Sequence, residues 1–336
     1  MNVLVTGGTG TVGRRCVARL VRAGHSVRVI GLDEGLEIDG AEFRRCDITD
    51  YNALREQLKG IDGVVHLAAI PNPAGGTAPA IFHINCTGTF NVYQAAAEEG
   101  IKRVVSASSI NALGFNFGVK AFQLSYFPID EKHPQQTTDA YSLSKQMLEE
   151  TAEYFSRRDG ISGVCLRLPA VRDPDDAARA RFFANGGQAY QEILALPDAE
   201  RRERVAAIWA QCEENRASRV SEKPRQWKPG AELTPEQERA FATRRMVSGL
   251  TNFWTMIHAE DSAQAFEKGL TADYEGAHPL FVTQAQNVAG VDSEALLQLF
   301  YPDVSERTRP IVGNESLVSI ERARTLINFE PEYSFT

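Results

Sequence analysis

The sequence predicts an α/β fold: a doubly wound parallel sheet with helices on both faces, followed by a smaller, mostly helical C-terminal region. Three observations carry this expectation. Short β-branched runs alternate with helical stretches through the first half of the chain. A glycine-rich turn joins the first run to the first helix. The alternation lapses after Val171 and resumes after Phe253. Strands separated by single helices form right-handed βαβ units, whose sheet is parallel and covered on both faces.

Strands are expected at Val3–Thr6, Ser26–Ile30, Glu42–Cys46, Gly63–Leu67, Arg103–Ala107 and Gly163–Leu168. Helices are expected between them at Val12–Ala23, Ala53–Leu58, Ile81–Glu99 and Tyr141–Arg158. Gly24 and Gly100 each follow a helical run, where a glycine in the left-handed conformation closes a helix. From Asp173 to Gly249 no strand pattern stands out. Val205, Ile208, Trp209 and Cys212 fall at i, i+3, i+4 and i+7, which predicts a surface helix with one apolar stripe. A charged linker follows from Ser218 to Glu232. Thr234-Pro235-Glu236-Gln237 then has the form of a helix start, with Thr as cap, Pro at the first helical position and Gln reaching back. Helices at Ser262–Leu270, Asp292–Phe300 and Ile320–Ile327 and a strand at Leu280–Thr283 complete the pattern.

With 336 residues, 43% of them hydrophobic and 24% charged, the chain has ordinary globular composition and room for more than one domain. A net charge of −8 lacks the positive field that nucleic acid or anionic lipid requires, so neither is an expected partner. No apolar run approaches the roughly 18–20 residues of a membrane helix. Met1-Asn2 leads straight into Val3, which does not resemble a signal peptide. Cys16, Cys46, Cys86, Cys165 and Cys212 are scattered, with no CxxC and no zinc spacing. They are expected to be reduced thiols of a cytoplasmic protein without a metal site.

Gly7, Gly10 and Gly13 are spaced G-x-x-G-x-x-G between the first strand and the first helix. This frame supplies a tight turn, a backbone without a Cβ beside a pyrophosphate, and a helix N-terminus aimed at the phosphates. Any tight βα turn selects glycine, but this position in a strand–turn–helix frame is the one expected of the phosphate loop of a Rossmann-type dinucleotide domain. Gly7, Thr9, Gly10, Thr11, Val12 and Gly13 are therefore candidate cofactor residues. Asp33 follows Gly13 by twenty residues, with Glu34 beside it and no cation between Arg28 and Arg44. An acid there suits the ribose hydroxyls of NAD, whereas arginines would suit NADP, so NAD is favoured over NADP. Asp47 is placed to face the adenine. Either acid also suits a turn.

Tyr141 and Lys145 are four apart on one helix face and can point into one cleft. A nearby ammonium favours the phenolate, which makes the tyrosine usable as a general base. Ser108 and Ser109 stand at the C-terminal end of a central strand, the edge where such sheets bind ligands. A serine there either bonds the reacting oxygen or caps a turn.

Together, Thr6–Gly13, the run Asp62–Ala69, Asn85–Thr89, Ser108-Ser109, Tyr141–Lys145 and Leu166-Arg167 resemble the extended short-chain dehydrogenase/reductase superfamily, that of sugar epimerases and dehydratases. The resemblance covers residues 1–172 and 250–334. It implies a dinucleotide along the glycine loop, with Ile48, Leu67, Ala68, Ala69, Asn85, Ala107, Leu168 and Pro169 as further contacts. It implies Tyr141 as acid and base, Lys145 on the nicotinamide ribose and Ser109 on the substrate oxygen. Ser108 and Trp254 are further substrate candidates. The dehydratases of the superfamily carry two acids directly after the catalytic hydroxyl residue. Here these are Ile110 and Asn111, which argues against elimination of water. The loop Ser109–Phe115 resembles that of uronate dehydrogenases, which act on free sugar acids. Asn111 is suited to a sugar hydroxyl or to a turn, and Arg244 and Arg245 to an anionic substrate group.

The chain then divides into 1–172 for the dinucleotide, 173–249 as a helical insertion or lid, and 250–336 as a substrate region that partly returns to the main sheet. The expected activity is that of an NAD(P)-dependent oxidoreductase or epimerase on a secondary hydroxyl of a sugar, sugar acid or sugar nucleotide. The expected partner is that small carbohydrate, and the insertion is compatible with a homodimer contact. A non-catalytic dinucleotide sensor is the rival, and an intact Ser/Tyr/Lys set argues against it.

Overall fold

The computed structural model describes residues 1–173, 186–219 and 246–334. Its strands are β1 (Asn2–Thr6), β2 (Ser26–Gly31), β3 (Ala41–Arg45), β4 (Gly63–His66), β5 (Val104–Ser109), β6 (Gly163–Leu168), β7 (Ala170–Arg172), β8 (Met256–His258) and β9 (Ala277–Phe281). Its helices are α1 (Thr11–Arg22), α2 (Tyr51–Leu58), α3 (Ala78–Phe82), α4 (Gly88–Glu98), α5 (Ala140–Asp159), α6 (Gly186–Leu194), α7 (Asp198–Arg219), α8 (Ala259–Thr271), α9 (Ser293–Phe300) and α10 (Glu321–Ile327). Seven strands form one parallel sheet in the order β3-β2-β1-β4-β5-β6-β9, and β7 pairs with β8 in a small second sheet.

The strand residues are apolar almost throughout because both faces of the sheet are covered. Val3, Val5, Val27, Val29, Val65, Val105, Val164 and Leu166 face one core with Val17 and Leu20 of α1 and Phe266 and Leu270 of α8. Their neighbours Leu4, Ile30, Val64, Val104 and Cys165 face the other, with Leu54 of α2, Val92 of α4 and Leu148 and Phe155 of α5. The expected doubly wound sheet is present.

Two elements differ from expectation for physical reasons. The helix expected over Ile81–Glu99 is interrupted by a π-turn at His83–Thr87, which turns Asn85 inward. The last strand starts at Ala277, not Leu280. Pro279 masks the pattern, yet a proline is tolerated because β9 lies at the sheet edge. The opposite edge, β3, carries Glu42, Arg44 and Arg45.

A third core lies beyond the C-terminal ends of the strands. Leu113 and Phe115 meet Tyr190 of α6, Leu250, Trp254, Leu297 and Phe300 there. The expected apolar stripe of α7 is inserted into it. Ile208 and Cys212 are each 2% exposed, Val205 and Trp209 pack beside them, and Trp209 Nε1 donates to the Phe300 carbonyl at 3.2 Å. The stripe is thus core, not a detached surface. The helix start expected at Thr234 and the linker beyond residue 219 lie outside the described residues.

All five cysteines are unbridged. Among the described residues, no helix is long and apolar enough to cross a membrane, and no cluster of His, Cys, Asp or Glu is placed to hold a metal.

Replacing Ile208 with alanine should lower the unfolding free energy by about 2–5 kcal/mol, the range for a buried aliphatic side chain. Ala207→Ser, on the exposed side of the same helix, should change it by less than about 0.5 kcal/mol. Urea melts of both variants check this, and equal midpoints would place α7 outside the core.

Candidate active site

The sheet order reverses between β1 and β4, and ligands of such sheets bind in the crevice beyond the strand ends at that point. Gly7 sits there with φ +68°, and a Cβ on it would lie 2.8 Å from the backbone of Ala68. A Cβ on Gly13 would lie 2.4 Å from the Gly7 carbonyl oxygen. These two glycines serve the fold. Gly10 is different, because the nearest protein atom to its missing Cβ is 3.6 Å away and the residue lines the cleft. Gly10 is also the N-cap of α1 and offers no side-chain cap, which leaves first-turn N–H groups for a ligand. This open backbone on a helix N-terminus fits a pyrophosphate.

The cleft measures about 860 Å³. Of the expected residues it gathers Gly7, Thr9, Gly10, Thr11, Val12, Gly13, Leu67, Ala68, Ala69, Ala107, Ser108, Ser109, Asn111, Tyr141, Lys145, Leu168 and Pro169. Its outer wall is built partly from the segment expected to be an insertion or lid, by residues that the sequence did not single out. Asn215, Ser218 and Arg219 come from the last turns of α7, joined by Asn116, Phe117 and Asn252.

Other expected residues stand elsewhere or are already engaged. Asp33 is exposed at the end of β2, with Oδ2 3.4 Å from the place a Gly31 Cβ would take, a place that is 3.9 Å from Thr9 Oγ1. Arg45 returns to this corner from β3, with Nε 3.4 Å from the Leu32 carbonyl and 3.7 Å from Glu34. Asp47 accepts from Thr49 N and Oγ1 at 2.9 and 2.8 Å, a turn of its own. Ile48 is buried under Gly88. Asn85 spends its amide on Ile70 and Ser144, so it braces the cleft wall from behind. Trp254 is 1% exposed in the third core against Tyr190 and Phe300 and does not line the cleft. Arg244 and Arg245 lie outside the described residues.

Asp139 caps α5 by accepting from Ser142 N at 2.9 Å, so the helix starts just before Tyr141. Lys145 Nζ donates to the Ala107 carbonyl at 2.8 Å and lies 5.8 Å from the centre of the Tyr141 ring. Phe117 meets that ring edge-on at 5.7 Å. Burial dominates the titration of both groups. It pushes the Tyr141 phenol up to about 12, opposed by the Ser109 hydroxyl and assisted by Asp139. It pulls Lys145 down to about 8. The expected lowering of the phenol by Lys145 is therefore not set by the protein's own groups; desolvation outweighs it. For Lys145 the folded chain releases its proton near pH 8 and the unfolded chain near 10.5, so this group makes stability rise with pH between those values.

Ser109 Oγ accepts from Asn111 N and Nδ2 at 3.1 and 3.2 Å. Asn111 Oδ1 is then a buried acceptor without a partner among the described residues. Ser108 Oγ instead donates to Glu149 at 2.6 Å. Glu149 is held by Arg167 through two bonds of 2.9 and 2.8 Å, with Arg167 only 2% exposed. Ser108 lines the cleft, but its hydroxyl is turned to this ion pair.

A further site residue, His66, went unread as one in the sequence. Thr6 Oγ1 accepts from Leu67 N and Ala68 N, both at 3.1 Å, so its proton goes to His66 Nδ1 at 2.8 Å. His66 Nε2 then donates to Thr89 Oγ1 at 3.0 Å, and Thr89 donates to the Asn85 carbonyl at 2.6 Å. Burial, assisted by the Lys145 charge, pulls the imidazole down to about 3, so it is neutral. A histidine inside an apolar strand was the available signal.

The model of the NAD dependent epimerase/dehydratase family matches residues 3–184, more than half of the chain. The chain belongs to this family. The uronate dehydrogenase of Pseudomonas syringae pv. tomato is 29% identical over 168 residues, which are 49% of this chain and 58% of that protein. The L-arabinose 1-dehydrogenase (NAD(P)(+)) of Haloferax volcanii is 32% identical over 179 residues, 52% of this chain and 68% of that protein. The chain thus spans less than two thirds of the length of the uronate dehydrogenase. The UDP-N-acetylglucosamine 4-epimerase structure from Bacillus cereus covers all of this chain and 95% of its own, with TM-score 0.61 and 19% identity, a likeness of fold.

The two kinds of glycine should separate in stability measurements. Gly13→Ala should cost about 1–3 kcal/mol, because backbone stands where the methyl must go. Gly10→Ser should leave stability unchanged or raise it by roughly a few tenths of a kcal/mol through a new helix cap. Thermal melts of the ligand-free protein test this, and a large loss in Gly10→Ser would mean that Gly10 also serves the fold.

Proposed function

We propose that the protein is an NAD(P)-dependent oxidoreductase or epimerase acting on a secondary hydroxyl of a sugar, sugar acid or sugar nucleotide, with NAD as the favoured cofactor. The observation that carries this reading is the convergence of Tyr141, Lys145 and Ser109 in the cleft that the glycine loop opens. The dinucleotide, when bound, supplies the hydride acceptor and a positive charge near the phenol.

In this reading Gly10 and the first turn of α1 hold the pyrophosphate, and Asp33 receives the ribose hydroxyls. Lys145, fixed by the Ala107 carbonyl, faces the nicotinamide ribose. Tyr141 takes the hydroxyl proton of the substrate, and Ser109 holds the same oxygen. The unpartnered Asn111 Oδ1 accepts from a second substrate hydroxyl, since a buried acceptor is costly until it is bonded. Ile110 and Asn111 cannot exchange protons, which favours oxidation or epimerisation over elimination. The likeness to uronate dehydrogenases and the placing of Arg219 on the cleft wall support oxidation of a free sugar acid as the specific case. The outcome depends on whether the keto form leaves or turns over and takes the hydride back on its other face. Five unbridged thiols support a cytoplasmic setting.

A screen of sugar acids, free sugars and sugar nucleotides with NAD and NADP, followed by nicotinamide absorbance and product NMR, tests the reading. Net reduction of the cofactor marks a dehydrogenase, and an inverted stereocentre without net reduction marks an epimerase. NAD should bind more tightly than NADP in calorimetry; the reverse order would mean that Arg45, not Asp33, governs the ribose.

On a verified substrate, Tyr141→Phe should lower kcat by about 10²–10⁴-fold with little change in the NAD dissociation constant. Lys145→Met should weaken NAD binding and turnover together. Ser109→Ala should cost less than Tyr141→Phe, because it removes a hydrogen bond but not the base. Near-normal turnover by Tyr141→Phe would make the Tyr–Lys pair structural and sink the mechanism.

A further inference from the structure

Ser109 and Asn111 stand at the start of a single 3₁₀ turn, Ile110–Leu113, that follows β5. The turn is locked in place. Ile110, Ala112 and Leu113 are buried, Gln136 N donates to the Leu113 carbonyl at 2.9 Å, and Gly114 N donates to the Asn111 carbonyl at 2.8 Å. Gly114 closes the turn at φ +92°, where a Cβ would lie 2.5 Å from the Gln136 carbonyl oxygen. Within this frame Ser109 Oγ accepts twice, from Asn111 N at 3.1 Å and from Asn111 Nδ2 at 3.2 Å, and both residues are buried. Among the described residues the Ser109 hydroxyl donates to no carbonyl or carboxylate, whereas the hydroxyl of Ser108 donates to Glu149.

A serine hydroxyl has one proton and two acceptor sites. Two N–H groups fill both acceptor sites of Ser109, so the one bond left to it is a bond that it donates. Ser109 lines the cleft with Tyr141, and its hydroxyl opposes the upward push of burial on the phenol. A serine with an open acceptor site could take the proton of the phenol or of the substrate hydroxyl and hold it in an unproductive bond. A serine that can only donate suits the phenolate before reaction and the carbonyl oxygen that forms. Asn111 imposes this direction with one backbone and one side-chain N–H, and only the second depends on residue type. The inference rests on the function proposed above. We propose that Asn111 is a positioning residue, whose side-chain amide fills the oxygen of Ser109 and so aims the Ser109 proton at the oxygen that reacts.

The test is a double-mutant cycle on the substrate that the screen identifies, read as kcat and KM, with Tyr141→Phe alongside. Asn111→Leu nearly keeps the shape and removes the side-chain N–H. It should lower kcat by about 3–10-fold, the size of one hydrogen bond. In a Ser109→Ala background the same change should lower kcat no further, because no hydroxyl is left to aim. A direct contact of Asn111 with substrate should show instead in KM and persist in that background. Asn111→Asp has the same shape but can only accept, so it should draw the Ser109 proton to itself and lose at least as much kcat as Ser109→Ala. The proposal is overturned if Asn111→Leu lowers kcat equally in both backgrounds, as a merely structural residue would, or if Asn111→Asp turns over near the wild-type rate. Asn111→Asp decides the matter if Asn111→Leu fails to fold. Near-normal turnover by Tyr141→Phe would instead remove the proposed function itself, so the two failures are told apart.

Discussion

One hydroxyl, that of Thr6, sets the geometry on which the cleft depends. It stands at the end of β1 and accepts from the N–H groups of Leu67 and Ala68 where β4 ends, and it donates a hydrogen bond to His66 Nδ1. The ladder between the two strands ends here with the bond from Leu67 N to the Thr6 carbonyl at 3.1 Å. The hydroxyl reinforces that last bond and extends the pairing to Ala68. It brings Ala68 so close to Gly7 that only a residue without a side chain fits. Because burial keeps His66 neutral, the chain of bonds through Thr89 to Asn85 has one proton direction throughout the physiological range.

The second support is an ion pair. Glu149 follows Lys145 by one helical turn, and Arg167 reaches it from β6. A buried pair of this kind adds little net stability over apolar packing, but it fixes orientation when every oxygen is used. Glu149 fills its oxygens with Arg167, Ser108 and Gln135. The effect is to draw one of two adjacent serine hydroxyls away from the cleft. Ser109 remains as the hydroxyl that faces Tyr141.

Much of this was legible in the sequence, because it is written in local spacing. Glycines three apart, a tyrosine and lysine four apart, and alternating apolar strands each map directly onto a turn, a helix face or a sheet. What could not be read was whatever depends on long-range meeting. Asn215, Ser218 and Arg219 reach the cleft only because the stripe of α7 is drawn into the third core some hundred residues from Phe115 and Phe300. Asn85 and Ser108 had the right residue type in the right place, yet partners far along the chain had claimed their hydrogen bonds. Trp254 likewise sits in familial sequence but is packed by Tyr190 and Phe300. The pKa of Tyr141 was misjudged for a related reason: spacing shows the neighbouring charge but not the loss of water around both groups.

The two ends of the main sheet bear on how copies of this chain can meet. An open sheet leaves a row of unpaired N–H and C=O groups along each outer strand, a template for strand addition by another molecule. At one end, β9 holds Pro279, which has no N–H to donate. At the other, Glu42 of β3 is tied to Arg28 and Arg44 in an exposed charged lattice that an incoming strand would have to break. Neither rim invites continuation of the sheet. Addition of a strand at either rim is thereby disfavoured, and the parallel sheet, with its long-range pairings, is guarded against growing into an aggregate.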